Sequence, residues 1–391
     1  MDNQLHSLDS KELTKFGTNF TVKEIIQQPD LWSKTYLFAL NKKDDIISFL
    51  NKNLKSDTDI IFTGAGTSAF IGNCLKSIFP KNFGHPARAV ATTDIVTHPY
   101  HYFHKDKPTF LISFARSGDS PESLAAVELA NQVCPTINHL IITCNAEGEL
   151  AQKADNNNSL TLVLPPQSND QGLAMTSSFT SMLLLAILIS KINQIEFLHT
   201  DIDRLSQYGD KIIRDYSDDI KMICDLPFER AVFLGSGPLL GCAEECHLKL
   251  QELTDGIVIS KFDSFLGFRH GPKAVVNSKT LMVYLCTDDP YISKYEVDLI
   301  NAVNKCERGI YSIAVLENDI EGIEVDLKVI LSDFDSEFKL NSDLLPVCYT
   351  LIGQLLGLYK SLQLGLKPDN PSVKGTISRV VQGVRIYPLL E

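Results

Sequence analysis

The sequence predicts an α/β protein with two similar domains, each a parallel sheet flanked by helices. From Asp59 onward, short apolar runs alternate with amphipathic stretches, which is the pattern of parallel strands joined by helices. This alternation occurs twice along the chain. The length of the chain agrees with two domains, because 391 residues are too many for one typical domain.

The first half begins with apolar residues at helical spacing over 25–40 and 46–54. Shorter apolar runs then predict a sheet, and a long helical stretch over 178–224 leads into the second half. Strands are predicted at 60–63, 88–92, 109–113 and 140–144, and helices are predicted to begin at Ser68 and Pro121.

The second half repeats the first at an offset of 171 residues, the separation of Gly64 and Gly235. Each of these glycines follows an apolar run and opens a Gly-x-Gly sequence. The same offset moves 111–113 to 282–284 and 140–143 to 311–314, and both of these also read as strands. Three strands at one offset without gaps predict two related domains.

Composition excludes several classes of protein. The net charge is −12 and no run of Lys or Arg occurs, so nucleic acid is not an expected partner. The nine cysteines are scattered without a CxxC pair, and the first residues lack a signal pattern, so we expect free thiols in the cytoplasm. The longest apolar run, 182–189, is too short to cross a membrane.

Two strand-to-helix junctions predict an anion site. Residues 64–68 (GAGTS) place glycines and hydroxyls at a helix N-terminus, where backbone N–H groups bind anions. Residues 113–123 (SFARSGDSPES) add more hydroxyls at the next junction. Two alternatives exist: GxGxxA also opens dinucleotide sites, although Asp94 lies too far on, and Ser120 also suits simple N-capping. Capping does not account for Ser117 and Gly118.

Residues 115–120 (ARSGDS) resemble the S-x-S-G-x-[ST] loop that holds sugar phosphates in the SIS (sugar isomerase) domain family. The resemblance implies two SIS domains, each a three-layer, flavodoxin-like αβα sandwich. The equivalent loop of the second domain, at 286–290, contains two aspartates, which would repel phosphate, so we expect only the first domain to bind it. In this chain Ala115 replaces the first serine, and Arg116 offers charge instead. The implied phosphate-binding residues are Gly66, Thr67, Ser68, Arg116, Ser117, Gly118 and Ser120.

A second resemblance concerns catalysis. Residues 249–253 (KLQEL) are similar to the K-L-K-E-[IL] segment in the isomerase domain of glucosamine-6-phosphate synthase, which implies that Glu252 moves a proton between C1 and C2. On the same predicted helix, Glu245 and Lys249 are spaced as a salt bridge on a solvated face, and that is our expectation for Glu245.

Residues 268–273 (FRHGPK) match the H-G-P motif of the same domain, which implies a catalytic role for His270. Opening a sugar ring requires a proton to move between the anomeric hydroxyl and the ring oxygen, and a neutral imidazole suits this near pH 7. Arg269 and Lys273 are candidates for substrate binding, with surface solvation as the equal alternative.

The resemblance extends over most of the chain to one SIS subgroup, the galactosamine-6-phosphate deaminase/isomerases of bacteria. The segments that carry it include 25–32, 174–182, 267–273 and 379–384. It implies conversion of D-galactosamine 6-phosphate to D-tagatose 6-phosphate and ammonia. The synthase takes ammonia from a domain that starts with Met-Cys. Here residue 2 is Asp, so we expect release of ammonia.

Three alternatives stay open: isomerisation of a hexose 6-phosphate without deamination, a sugar-phosphate-binding regulator, and a nicotinamide-dependent enzyme. Regulators of this family carry a basic helix-turn-helix, and 11–54 contains no basic cluster. We expect no cofactor, no metal and no membrane partner, and we expect a homodimer or larger homo-oligomer.

The sequence predicts four parts of the chain. These are a helical segment (1–55), a phosphate-binding SIS domain (56–200), a second SIS domain with Glu252 and His270 (201–366), and a tail (367–391). In the tail, Asp369-Asn370-Pro371 resembles the D-x-P start of the synthase's closing loop, while Lys374 is out of register with the lysine of that loop. The histidines at 98, 101 and 104 are predicted to lie in a loop and not to bind metal.

Overall fold

The computed structural model describes residues 10–154, 157–332, 339–381 and 383–389. It divides into two compact units. The first-sheet unit comprises Asp30–Asp170, Met175–Ile202 and Ser378–Glu391, and the second-sheet unit comprises Met1–Pro29, Gln171–Ala174 and Asp203–Ile377.

The first-sheet unit contains five parallel strands in the order β2-β1-β3-β4-β5. Its strands are β1 (Asp59–Thr63), β2 (Ala87–Ala89), β3 (Thr109–Ala115), β4 (Ile137–Thr143) and β5 (Ser159–Val163). All seven residues of β3 are buried, as expected for a central parallel strand covered on both faces.

Helices surround this sheet. The helix at Ser177–Ser190 is buried along its whole length, and its apolar residues point in all directions rather than along one stripe. The helices are α3 (Gln28–Asn41), α4 (Lys43–Asn53), α5 (Thr67–Leu75), α6 (Ile78–Phe83), α7 (Thr92–Thr97), α8 (Pro99–Tyr102), α9 (Pro121–Val133), α10 (Glu149–Gln152) and α11 (Ser177–Ser190), with 3₁₀ turns at Pro166–Ser168 and Ile192–Leu198.

The second-sheet unit also contains five parallel strands, in the order β10-β9-β8-β6-β7. Counted from β6, this is the same 2-1-3-4-5 order as in the first sheet, the flavodoxin-like arrangement. Its strands are β6 (Arg230–Leu234), β7 (Ile259–Asp263), β8 (Thr280–Leu285), β9 (Tyr311–Leu316) and β10 (Leu327–Ile330).

The helices of this unit include α14, which carries Glu252 and packs against both α16 and β7. The helices are α1 (Ser10–Phe16), α2 (Thr21–Ile26), α12 (His199–Asp215), α13 (Ser217–Cys224), α14 (Pro238–Leu253), α15 (Ile292–Asn304) and α16 (Leu345–Gln363), with 3₁₀ turns at Gly267–Arg269, Pro272–Val275 and Ser342–Leu344.

The predicted fold class is confirmed, and the register refines the predicted repeat. Thr109 pairs with Asp59 in the first sheet, and Thr280 pairs with Arg230 in the second, so these strands keep the offset of 171. The next strand does not, because Leu140 pairs with Ile112 while its counterpart, the residue paired with Val283, is Ile313. The prediction of a repeat without gaps was wrong by two residues at this strand.

Several elements also differ from the prediction. The strand predicted over 88–92 ends at Ala89, and Thr92 already begins α7. The predicted helical stretch 178–224 is broken into α11, a 3₁₀ turn, α12 and α13. The short strands β5, β7 and β10 were not predicted.

Among the described residues, no single helix is long and apolar enough to cross a membrane. One bent pair, Ser177–Ser190 with Ile192–Asp215, passes by length and composition alone.

Candidate active site

The first wall of the candidate phosphate cleft is the junction of β1 and α5. Gly66 precedes α5 with φ +54°, a left-handed conformation in which a side chain is strained, and nothing lies within 4 Å of where its Cβ would be. The chain therefore turns sharply and leaves space at the start of the helix. Ser68 lies in the first turn of α5, is 4% exposed, and places its Oγ 3.8 Å from Met175 Sδ.

The second wall is the loop between β3 and α9. Gly118 has φ +78°, and its carbonyl accepts a hydrogen bond from Leu150 N at 3.0 Å. The carbonyl of Ser117 accepts one from Asn145 Nδ2 at 2.9 Å. These bonds from the β4–α10 segment hold the loop in place. Ser120 is the N-cap residue, but its hydroxyl makes no capping bond to α9 among the described residues, so the capping alternative does not account for it.

These two walls form a cleft of about 130 Å³ at the carboxyl ends of β1 and β3. Among the described residues that line it, none is acidic. Hydroxyls, glycines, two helix N-termini and two arginines surround the space, which is the environment that binds an anion. The lining residues are Ala65, Gly66, Ser68, Phe114, Ala115, Arg116, Ser117, Gly118, Ser120, Ser123, Met175, Arg379 and Val381.

Six of the seven predicted phosphate-binding residues therefore line this cleft. The seventh, Thr67, is buried at the start of α5 and is not part of the lining. Sequence reasoning gave no site role to Met175, Arg379 or Val381. Arg116 Nη2 donates to the carbonyl of Arg379 at 2.5 Å, so the C-terminal segment is part of the cleft. The signal available in the sequence was that Met175 and Arg379 lie in segments that resemble the SIS subgroup.

Glu252, Lys249 and Glu245 form a charged cluster in the second-sheet unit. Lys249 Nζ lies 3.2 Å from Glu245 Oε1 and also pairs with Glu252 Oε1. The side chains of Lys249 and Glu245 are fully buried, and that of Glu252 is 16% exposed. Burial alone would lower the pKa of Lys249, but Glu245 and Glu252 outweigh burial and raise it above its ordinary value.

The expectation that Glu245 lies on a solvated face was wrong. Helix α14 has no such face at this point, because α16 covers it. A Cβ added at Gly357 of α16 would stand 2.7 Å from the carbonyl oxygen of Lys249, so the two helices are in close contact. Glu252 is the member of the cluster that solvent reaches, which leaves it able to meet a substrate.

His270 and Arg269 lie together at the end of the 3₁₀ turn Gly267–Arg269, and both are exposed. The turn is anchored by the buried ring of Phe268. Lys273 is directed elsewhere, since its Nζ lies 3.4 Å from the carbonyl of Ala302, near the C-terminus of α15. Of the predicted residues of this segment, His270 and Arg269 are available to a ligand.

The loop after β8 differs from the loop after β3 in its charges. Asp288 pairs with Lys339 at 2.7 Å, and Asp289 accepts hydrogen bonds from the first backbone amides of α15. Glu296 is fully buried, its Oε2 accepts from Thr287 N at 3.1 Å, and burial raises its pKa to about 8. Carboxyl groups of the chain thus occupy the donors that an anion would use.

The D-x-P segment of the tail has a structural contact. Asp369 Oδ1 accepts from the backbone N and the Oγ1 of Thr21, each at 2.8 Å, at the start of α2. Its carbonyl accepts from Leu173 N at 3.0 Å. Lys374 is exposed. The segment is therefore tied to the N-terminal helices of its own unit.

The histidines at 98, 101 and 104 were predicted to lie in a loop, and that was wrong for His101, which is in α8. The rings of His98 and His101 are 5.0 Å apart. Over the ranges that the structure describes, no group of three or more His, Cys, Asp or Glu residues is arranged to hold a metal ion.

Comparison with known proteins agrees with the fold. The SIS domain model matches residues 53–189, which include all of the cleft's lining residues except Arg379 and Val381. The chain belongs to the SIS domain family, in the group of the D-galactosamine-6-phosphate deaminases AgaS.

The relatives are similar over almost their full length. D-galactosamine-6-phosphate deaminase AgaS of Shewanella sp. (strain ANA-3) is 39% identical, over 98% of this chain and 96% of the relative. The AgaS protein of Escherichia coli is 38% identical, over 94% and 96%. Among solved structures, tagatose-6-phosphate ketose/aldose isomerase from Escherichia coli superposes with a TM-score of 0.85 at 35% identity, covering 94% of this chain and 96% of that one.

Proposed function

We propose that the chain is an isomerising deaminase that converts D-galactosamine 6-phosphate to D-tagatose 6-phosphate and ammonia. The observation that carries the proposal is the cleft between β1, β3 and their helices, which is lined by hydroxyls and arginines and by no described acid. The near full-length similarity to AgaS deaminases supports the choice of substrate and reaction.

The cleft is assigned to the 6-phosphate. A phosphate monoester carries up to two negative charges, and this chain has a net charge of −12, so local donors must hold it. Ser68, Ser117 and Ser120 provide hydroxyls, and the N-termini of α5 and α9 provide backbone amides. Fixing the phosphate end limits the orientations that the bound sugar can take.

His270 is assigned to ring opening. The substrate is mostly a closed ring, so a proton must leave the anomeric hydroxyl while another reaches the ring oxygen. An imidazole does both near neutral pH. The exposure of His270 on its 3₁₀ turn supports this assignment.

Glu252 is assigned to the proton transfer between carbons. Its carboxylate removes the C2 proton of the open-chain 2-amino aldose, giving an enolamine, and the proton is then delivered to C1. The product is a C2 imine, to which water adds, and loss of ammonia leaves the ketose. Lys249 holds Glu252 in place, since its ammonium is buried between two carboxylates and keeps its charge.

The test is a panel of sugars assayed for ammonia and ketose together. We expect galactosamine 6-phosphate to yield both products, and galactosamine without phosphate to yield neither at the same concentration. Isomerisation without deamination is the second candidate, because the similar Escherichia coli structure is named a ketose/aldose isomerase. Ketose formed from a hexose 6-phosphate, with no ammonia from any hexosamine 6-phosphate, would establish that candidate instead.

We also propose that the chain acts in the cytoplasm as a homodimer or larger homo-oligomer, and that its parts are those predicted from the sequence, 1–55, 56–200, 201–366 and 367–391. Self-association is supported by the edge strand β7, where Ile259 is 65% exposed. Light scattering of the purified chain tests the oligomer, and a monomeric mass with full activity would contradict it.

A further inference from the structure

The C-terminal segment contributes a second arginine to the phosphate cleft, and its role is not evident from the sequence. Arg379 lines the cleft together with Arg116, although 263 positions separate them. The side chain of Arg379 is half-buried. The question is whether its charge is used within the protein or is left for a ligand.

Neutral oxygens hold the Arg379 guanidinium. Nε donates to the carbonyl of Asp170 at 3.0 Å, and Nη2 donates to the same carbonyl at 2.6 Å and to Asn169 Oδ1 at 3.0 Å. Within the described ranges, no carboxylate lies within ion-pair distance of this guanidinium, and its Nη1 donates to no residue. The group is therefore oriented by hydrogen bonds to neutral oxygens and has no ion-pair partner among the described residues.

The acceptor that orients Arg379 is itself rigid. Asp170 is fully buried, and its carboxylate accepts from the backbone amides of Thr176, Ser177 and Ser178 at 2.8, 3.2 and 2.8 Å. These bonds cap α11, the buried helix of the unit. The carboxylate is thus engaged by α11, and the guanidinium is held in advance of ligand binding. Preorganised groups of this kind lose little entropy when a ligand arrives.

We propose that Arg379 binds the substrate's phosphate directly, with Nη1 as the donor, and makes the cleft specific for a doubly charged phosphate monoester. Arg116 donates to the Arg379 carbonyl, so the two cations are fixed beside the hydroxyl loop. Here Ala115 replaces the first serine of the SIS loop, and a charge-assisted bond from Arg379 compensates for the missing hydroxyl. This inference rests on the proposed function, because it assigns the cleft to phosphate.

The experiment measures binding of inorganic phosphate to the full chain by calorimetry, in wild type and in Arg379→Gln and Arg379→Lys. Glutamine can still donate to the Asp170 carbonyl but lacks charge, whereas lysine keeps the charge. We expect Arg379→Gln to weaken phosphate binding about tenfold to a hundredfold, the usual effect of losing a charged hydrogen bond, and Arg379→Lys to recover most of it. With galactosamine 6-phosphate, KM should rise while kcat stays close to wild type, because the bond is equal in ground and transition states.

Arg385→Gln is the matched control, because Arg385 is an exposed arginine of the same tail that stacks on Tyr387 and does not line the cleft. It should bind phosphate as the wild type does. Phosphate binding by Arg379→Gln that equals wild type, or binding by Arg379→Lys as weak as that of Arg379→Gln, overturns the inference. Absence of phosphate binding in the wild type overturns the proposed function as well, so the two failures are distinguishable.

Discussion

The two sheets have the same strand order, but the loops at the carboxyl ends of their strands present different side chains. The glycine before the first helix has almost the same backbone in both, with φ +54° and ψ −127° at Gly66 and φ +56° and ψ −125° at Gly237. The loops after the third strand diverge. Residues 116–120 present hydroxyls to an open cleft, and residues 287–290 present carboxylates to their own helix.

A few side chains therefore decide what the shared backbone can bind. In the second loop, Asp289 takes the amides of Tyr291 and Ile292 at 2.9 and 3.0 Å, and Glu296 takes the amide of Thr287. An external anion would meet these carboxyls in place of free donors. In the first loop, the Ser120 hydroxyl makes no capping bond to α9 among the described residues, so this hydroxyl stays available to a ligand.

The largest expected effect separates chemistry from binding. Replacing Glu252 by Gln should lower kcat about a hundredfold to ten-thousandfold, the usual cost of losing a general base. Binding of inorganic phosphate should not change, because the phosphate cleft belongs to the first-sheet unit. Glu244→Gln, on the same helix, is the control and should keep its activity. Near wild-type turnover in the Glu252 variant would falsify the assignment.

The second effect comes from a carboxylate placed in the first loop, where the second loop already has Asp289 before its helix. Ser120→Asp places a carboxylate at the N-cap of α9, where aspartate is a favoured capping residue. We expect unchanged or higher thermal stability, and a loss of phosphate binding of roughly a hundredfold or more from like-charge repulsion. Calorimetry and thermal unfolding measure the two quantities. Ser120→Thr, which keeps a hydroxyl, should bind phosphate within a few-fold of wild type.

Retained phosphate affinity in Ser120→Asp would show that a carboxylate in the loop does not prevent phosphate binding, and this would contradict our explanation of the difference between the two loops. Lost affinity accompanied by unfolding would contradict the capping part of the account.

The third effect concerns pH. Glu296 has a folded pKa of about 8, against 4.5 for an ordinary glutamate, so between these values the folded chain holds a proton that the unfolded chain releases. Stability from this group therefore falls as pH rises, by up to roughly 1.4 kcal/mol per pH unit. Denaturant unfolding at several pH values should show a shallower decline in Glu296→Gln than in wild type. Identical slopes in the two proteins would mean that the Glu296 carboxyl is already ionised at pH 5.

The smallest effect is expected at Asp289. Hydrogen bonds from the amides of Ile292 and Tyr291 lower its pKa below the ordinary 3.8, so its contribution to stability is present above that pH and is lost as pH falls through the lowered value. Asp289→Asn should lower the melting temperature slightly at pH 6, and this difference should narrow below about pH 3.8. A difference that widens in acid would show that the carboxylate does not accept these bonds.

Much of the fold could be predicted because its strongest signals are local. Central strands such as β3 and β8 are continuous apolar runs that end at polar turns. The strands β5, β7 and β10 are short and only partly buried, so they leave no such run in the sequence. The predicted offset of 171 residues between the two halves is correct where the segments that connect the strands have equal length. It is wrong at β9, because the second half has two extra residues before this strand.

The phosphate cleft could be predicted where residues of the sequence motifs themselves line it. Loop 116–120 and Ser68 came together as expected because parallel strands end at the same edge of a sheet. Burial of Lys249 and Glu245 depends on the packing of α14 against α16, and a helical wheel of one helix does not contain that information. The contact of Arg379 with Arg116 likewise exists only after the chain has folded.

The most direct test of the account is the ratio of ammonia released to ketose formed from D-galactosamine 6-phosphate, measured in wild type and in Ser120→Asp. We predict equal amounts of the two products in wild type, and almost no turnover at the same substrate concentration in Ser120→Asp, because the 6-phosphate is no longer held. Ketose without ammonia in the wild type, or equal turnover in the two proteins, would contradict it.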